Sequence, residues 1–172
     1  MTIHASAHEP LTLGGGWLGL LRHYLAFIAV ANLLWEILQL PLYTIWAEGT
    51  PAEIAFAVVH CTAGDLLIAM ASLVAGLIVA GDRTWPTRRF WAVAAVTVML
   101  GVAYTVFSEW LNLVVRKSWA YSDLMPIVPV IGTGLSPLMQ WIAIPLGSLL
   151  LARRFAPAGA VSWKRSMARK PI

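Results

Sequence analysis

Four apolar runs leave this chain few folds to choose from. Each is longer than the roughly 18 residues that separate a membrane span from a buried soluble helix. They predict spans at about 24–46, 54–80, 90–115 and 134–155. The expected fold class is all-α: a four-transmembrane-helix bundle forming a single integral membrane domain. Composition agrees, since only 12% of residues are charged, against about 25% in soluble domains. The mean hydropathy is +0.75. One cysteine, Cys61, excludes an intrachain disulfide and a cysteine-based metal cluster.

The first run carries a polar stripe. Asn32, Glu36, Gln39 and Tyr43 are spaced four, three and four, so they share a helix face. Glu36 sits near the middle of the run. A carboxyl group at that depth costs roughly 2.5–3.5 kcal/mol on insertion scales, and such residues mark internal functional sites. The third run repeats the pattern with Tyr104, Thr105, Ser108, Glu109 and Asn112 on one face. In the second run Cys61 and Asp65 share a face, while His60 is rotated from Asp65 by about 140°. The two cannot both point squarely at one spot. Gly64 between them is expected to permit close helix approach. Pro41 and Pro145 remove backbone donors within spans. Gln140 and Trp141 lie early in the fourth run.

Lys and Arg set the orientation. The amino terminus, the 82–89 loop and the carboxyl terminus carry Arg22, Arg83, Arg88, Arg89, Arg153, Arg154, Lys164, Arg165, Arg169 and Lys170. The other side carries Arg116 and Lys117. The positive-inside rule puts both termini in the cytoplasm of a multi-pass cell-membrane protein (the inner membrane, in a bacterium). The net charge of +4 thus reads as topogenic, with a basic 156–172 tail anchoring to lipid headgroups, and no nucleic-acid partner is expected. Residues 1–23 read as an N-terminal arm without the pattern of a cleaved signal peptide. Thr50-Pro51-Ala52-Glu53 reads as a helix start. Trp17, Trp46, Trp85 and Trp119 fall near span ends, where such rings prefer the interface.

The connection from Arg116 to Thr133 contains Pro126 and Pro129. It is too apolar for a solvated loop and too broken by proline for a helix. It is expected to fold back as an outer-side cap between the third and fourth spans. Counted from the outer ends of the spans, Glu36 lies about 15 Å deep, His60 about 10 Å, Asp65 about 17 Å and Glu109 about 9 Å. The inner halves of the spans are almost wholly apolar. These depths predict a pocket open to the outer leaflet and closed towards the cytoplasm.

The expected function is a membrane-embedded enzyme acting by acid/base chemistry on an apolar or lipid-like substrate. Glu36 and Glu109 are the candidate acid and base, with His60 and Asp65 orienting or relaying protons. Asn32, Gln39, Tyr104, Asn112, Tyr121, Gln140 and Trp141 are candidate substrate-binding residues. Known catalytic motifs are absent, no lysine lies within a span, and paired axial histidines for haem are lacking. The acids and His60 could hold a cation, but their spacing is no recognised metal signature. No metal site is assigned and no cofactor is named. Two alternatives are a small proton- or ion-coupled transporter using Glu36, and a non-catalytic or metal-holding subunit of a larger membrane complex. Membrane lipids, a homodimer or such a complex are the partners considered.

The inventory of two Glu, one His, Asn and Trp in four spans resembles, in residue types alone, the sterol isomerase and emopamil-binding class. That resemblance implies membrane carboxyl groups that shuttle protons and an aromatic pocket that tolerates a carbocation. The order and spacing differ, so no residue roles carry over.

Overall fold

The computed structural model describes residues 16–155. The basic tail and the first fifteen residues of the expected arm lie outside them. All described elements are helical. Helix α1 runs Gly16–Gln39, α2 is a single turn at Ile45–Glu48, α3 spans Pro51–Ala80, α4 Phe90–Trp110 and α5 Leu135–Phe155. Four stretches are long and apolar enough to cross a membrane: Trp17–Leu42, Pro51–Ala80, Phe90–Val115 and Leu135–Phe155.

The first boundary corrects the sequence reading. The helix begins at Gly16, not near Tyr24, so residues 16–23 are not part of an arm. Arg22 stays exposed. His23 Nδ1 pairs with the Gly19 carbonyl at 2.7 Å, and its ring stacks on Phe155. Both polar residues are thus absorbed without breaking the helix. The other end falls short of Trp46 because Pro41 cannot continue the helical ladder. The chain leaves α1 through a 3₁₀ turn at Leu40–Leu42.

Local chemistry fixes the other ends. Thr50 and Glu53 form a capping box at the start of α3, meeting two of the orphan donors there. In the α3–α4 turn, Thr84 N–H donates to Asp82 Oδ1 at 2.7 Å, and Asp82 Oδ2 lies 3.7 Å from Arg89 Nε. Helix α4 passes into a π turn at Leu111–Val115, a feature frequent at functional sites. Helix α5 runs through the buried Pro145, which leaves the Trp141 carbonyl without its usual partner four residues on.

The four long helices close into a ring in which α1 packs on α3 and α5, and α4 packs on the same two. Leu20, Tyr24 and Ile28 of α1 meet Leu73, Val93, Leu149 and Ala152 in a packed core at the end carrying the Asp82–Arg89 turn. There Gly76 lets α3 approach α4: a Cβ on it would come within 2.7 Å of Thr97 Oγ1. Large apolar side chains such as Leu38, Ile78 and Val79 face outward, on helices long and apolar enough to cross a membrane.

The segment Arg116–Gly134 is stitched to the corner after α1. Thr44 N–H donates to the Ala120 carbonyl and Ser122 N–H to the Leu42 carbonyl, both at 3.0 Å. Ser122 Oγ donates to the Pro41 carbonyl at 2.8 Å. A short turn follows, closed by Val128 N–H on the Thr133 carbonyl and Leu135 N–H on the Pro126 carbonyl.

Candidate functional site

The helices that touch at Gly76 separate towards the α2 end of the bundle. Between them lies a cavity of about 1020 Å³, lined by residues of all four long helices, α2 and the Arg116–Trp119 stretch. Gly64 corrects the sequence reading here. A Cβ on it would meet nothing within 4 Å, so it serves no helix contact and opens onto the cavity wall instead.

One face of the cavity is a hydrogen-bonded cluster on α1, α3 and α5. Gln140 is its centre. Its Nε2 lies 2.9 Å from Asn32 Oδ1, 3.0 Å from Glu36 Oε1 and 2.9 Å from Asp65 Oδ2. Gln39 Nε2 donates to Glu36 Oε1 at 2.8 Å and to Gln140 Oε1 at 3.3 Å. Ser136 Oγ donates to Gln39 Oε1 at 2.9 Å and accepts from Trp35 Nε1 at 3.2 Å. Glu36 and Asp65 thus come from different helices to the same amide nitrogen.

The second face is built on α4 and the following segment. Buried Glu109 accepts from the Tyr121 hydroxyl. That oxygen in turn accepts from Gly134 N–H at 2.8 Å. Burial first, and the Glu109 bond next, push Tyr121 above its ordinary range, so it remains a neutral donor. Burial does the same for Tyr43, whose ring packs 5.4 Å from that of Tyr121. The Trp119 indole N–H is buried beside Glu109 without a bond of normal geometry.

The remaining expected residues divide. Asn112 lines the cavity and turns its amide onto the Ser108 carbonyl at 2.8 Å. Trp141 is buried and forms a wall against Gly101. Tyr104 lines the rim and is 44% exposed. His60 takes no part in the Glu36–Asp65 cluster; it is exposed at the rim and stacks on Phe56 at 5.4 Å. The helical rotation that separates it from Asp65 accounts for this. Among the described residues no three His, Cys, Asp or Glu side chains come together as a metal-ligand set. Ser136 escaped the sequence reading altogether. Beside Pro137 it looks like an ordinary helix-start serine, and only the packing of α5 on α1 brings it to Gln39.

No protein-family model matches the chain, and neither curated proteins nor solved structures yield a match.

Proposed function

We propose that the protein is a membrane-embedded enzyme performing acid/base chemistry on an apolar, lipid-like substrate. One observation carries the reading: two separately held acid sites, Glu36 with Asp65 and Glu109, which Tyr121 holds from behind the wall, line a single cavity of about 1020 Å³. That volume suits a large apolar molecule. The cavity walls include Phe56, Tyr43, Trp119 and Trp141, and Arg116 is the one Lys or Arg among the described lining residues. One acid site supplies a proton and the other takes one, each with hydrogen-bond partners already in place. The substrate enters from the outer leaflet past Phe56, His60 and Tyr104. The Arg116–Gly134 segment caps the site on the outer side, and both termini face the cytoplasm, a reading supported by the ten-to-two division of Lys and Arg. The packed core around Leu20, Tyr24 and Ile28 lies outside the cavity lining and counts against a transporter.

The test needs no prior substrate. Membranes enriched in the protein are incubated in deuterium oxide, and the lipid extract is searched for carbon-bound deuterium. The wild type labels a lipid species, and Glu36→Gln and Glu109→Gln each abolish labelling while remaining folded. If both variants label as the wild type does, or nothing is labelled, the acid/base reading fails.

A further inference from the structure

The segment that crosses from α4 to α5 carries a bare apolar turn. Between Asp123 and Arg153 the chain has no Asp, Glu, Lys, Arg or His, and residues 124–134 of that run precede α5. The neck of the turn is packed. Met125, Thr133 and Gly134 are buried, a Cβ on Gly134 would come within 2.7 Å of Met125 Sδ, and Leu135 N–H closes on the Pro126 carbonyl at 2.7 Å. The tip is the reverse: Ile127, Val130 and Ile131 are exposed, Val130 fully so. Pro126 and Pro129 bring no N–H that would need a partner. Val130 also has φ 74°, where a β-branched residue is a genuine outlier. Glycine takes that region freely, as Gly132 does at φ 72°. A strained valine held out by a packed neck marks a side chain that meets something outside the chain.

Contacts between the helices set the height of that tip. Trp141 of α5 lies against Gly101 of α4. Beyond that level α4 and its π turn run on to Val115, whereas α5 stops at Leu135, roughly 12 Å sooner at a helical rise of ~1.5 Å per residue. Glu109 and Gly134 share the Tyr121 hydroxyl, so the neck stands level with Glu109. Above Glu109, α4 still turns Trp110, Val114 and Val115 outward. The chain from Gly134 back to Ile131 reaches at most about 10 Å, so the tip stays close to the height of that apolar band. On its other side the neck runs directly into α5, whose outward face carries Leu135, Met139 and Ile142. We propose that residues 127–131 are a lipid-inserting foot, with their side chains among the acyl chains of the leaflet at the α2 end, in the height that α5 leaves open. An uncharged tip continuous with apolar faces on α4 and α5 fits hydrocarbon and is mismatched to water. The inference rests on the four helices long and apolar enough to cross a membrane and is independent of the acid/base reading.

Spin labels read the depth of single positions. The full chain, carrying Cys61→Ser so that each label finds one thiol, is placed in phosphatidylcholine nanodiscs, which leave both faces open to solution. Labels go on Val130→Cys and, in a separate variant, on Ile131→Cys. Ile142→Cys on the outward face of α5 is the lipid reference, and Arg88→Cys in the α3–α4 turn is the solution reference, both positions being exposed. Oxygen, which concentrates in the bilayer, is expected to relax both tip labels as strongly as the label at Ile142. A soluble nickel chelate is expected to relax them far less than the label at Arg88. Ile131→Cys keeps the native residue at the strained position, so the test stands if Val130→Cys does not fold. Nickel relaxation equal to that at Arg88 puts the tip in water and overturns the proposal. Weak relaxation by both reagents puts protein over the tip, a second copy of the chain, and overturns it equally.

Discussion

Two glycines show what single positions decide. Gly101 lies against the Trp141 ring with no room for a Cβ, whereas Gly64 opens onto empty space. Gly101→Ala is expected to cost about 1–3 kcal/mol through overpacking. Gly64→Ala is expected to be neutral or to gain up to about 1 kcal/mol from the helix preference of alanine. Thermal unfolding of the two variants in one detergent checks both signs. Tyr121 has a different role. Tyr121→Phe removes the donor to Glu109 and strands the Gly134 N–H, at a cost of about 1–3 kcal/mol. The polar stripes themselves were readable, because i, i+3 and i+4 spacing fixes a helix face whatever surrounds it. Rotation also separated His60 from Asp65 correctly. The function of Gly64 was not readable: small residues serve both close packing and open walls, and only the neighbouring helix distinguishes them.

At the scale of elements, helix ends carry the argument. The capping box of Thr50 and Glu53 on α3 predicts that Thr50→Ala loses about 1 kcal/mol, again by unfolding. In the α3–α4 turn, the Thr84 hydrogen bonds, aided by Arg89, hold Asp82 below its ordinary range. A carboxyl group so lowered supports the fold above its unfolded pKa, and that support is lost as pH falls through the folded value. Protection of the Thr84 amide, taken relative to its intrinsic exchange rate at each pH, should therefore fall on acidification, and Asp82→Asn should abolish that fall. The spans after the first lie within three residues of the sequence boundaries, since apolar run length and the Thr50-Pro51 start are local signals. The start of α1 was hidden. A triple glycine followed by Arg22 and His23 looks like a flank, and the contacts that absorb His23 come from Phe155, at the far end of the chain.

For the whole molecule, the governing fact is that α3 and α4 touch at Gly76 and separate towards Gly64. No periodicity in either helix announces this, because the order of helices around the ring is a property of packing. The same order assembles Asn32, Glu36, Asp65 and Gln140, which come from three helices. Sequence could propose the members of the site from their burial cost, but not their pairing. The most direct test of the account is native mass spectrometry of the protein released from mild detergent, beside Gly64→Leu. This variant places a bulky side chain on the cavity wall and keeps every acid. A lipid-sized mass retained by the wild type and lost from Gly64→Leu is the predicted result. Bare protein in both samples, or the same mass retained by both, would contradict the claim that this cavity holds the substrate.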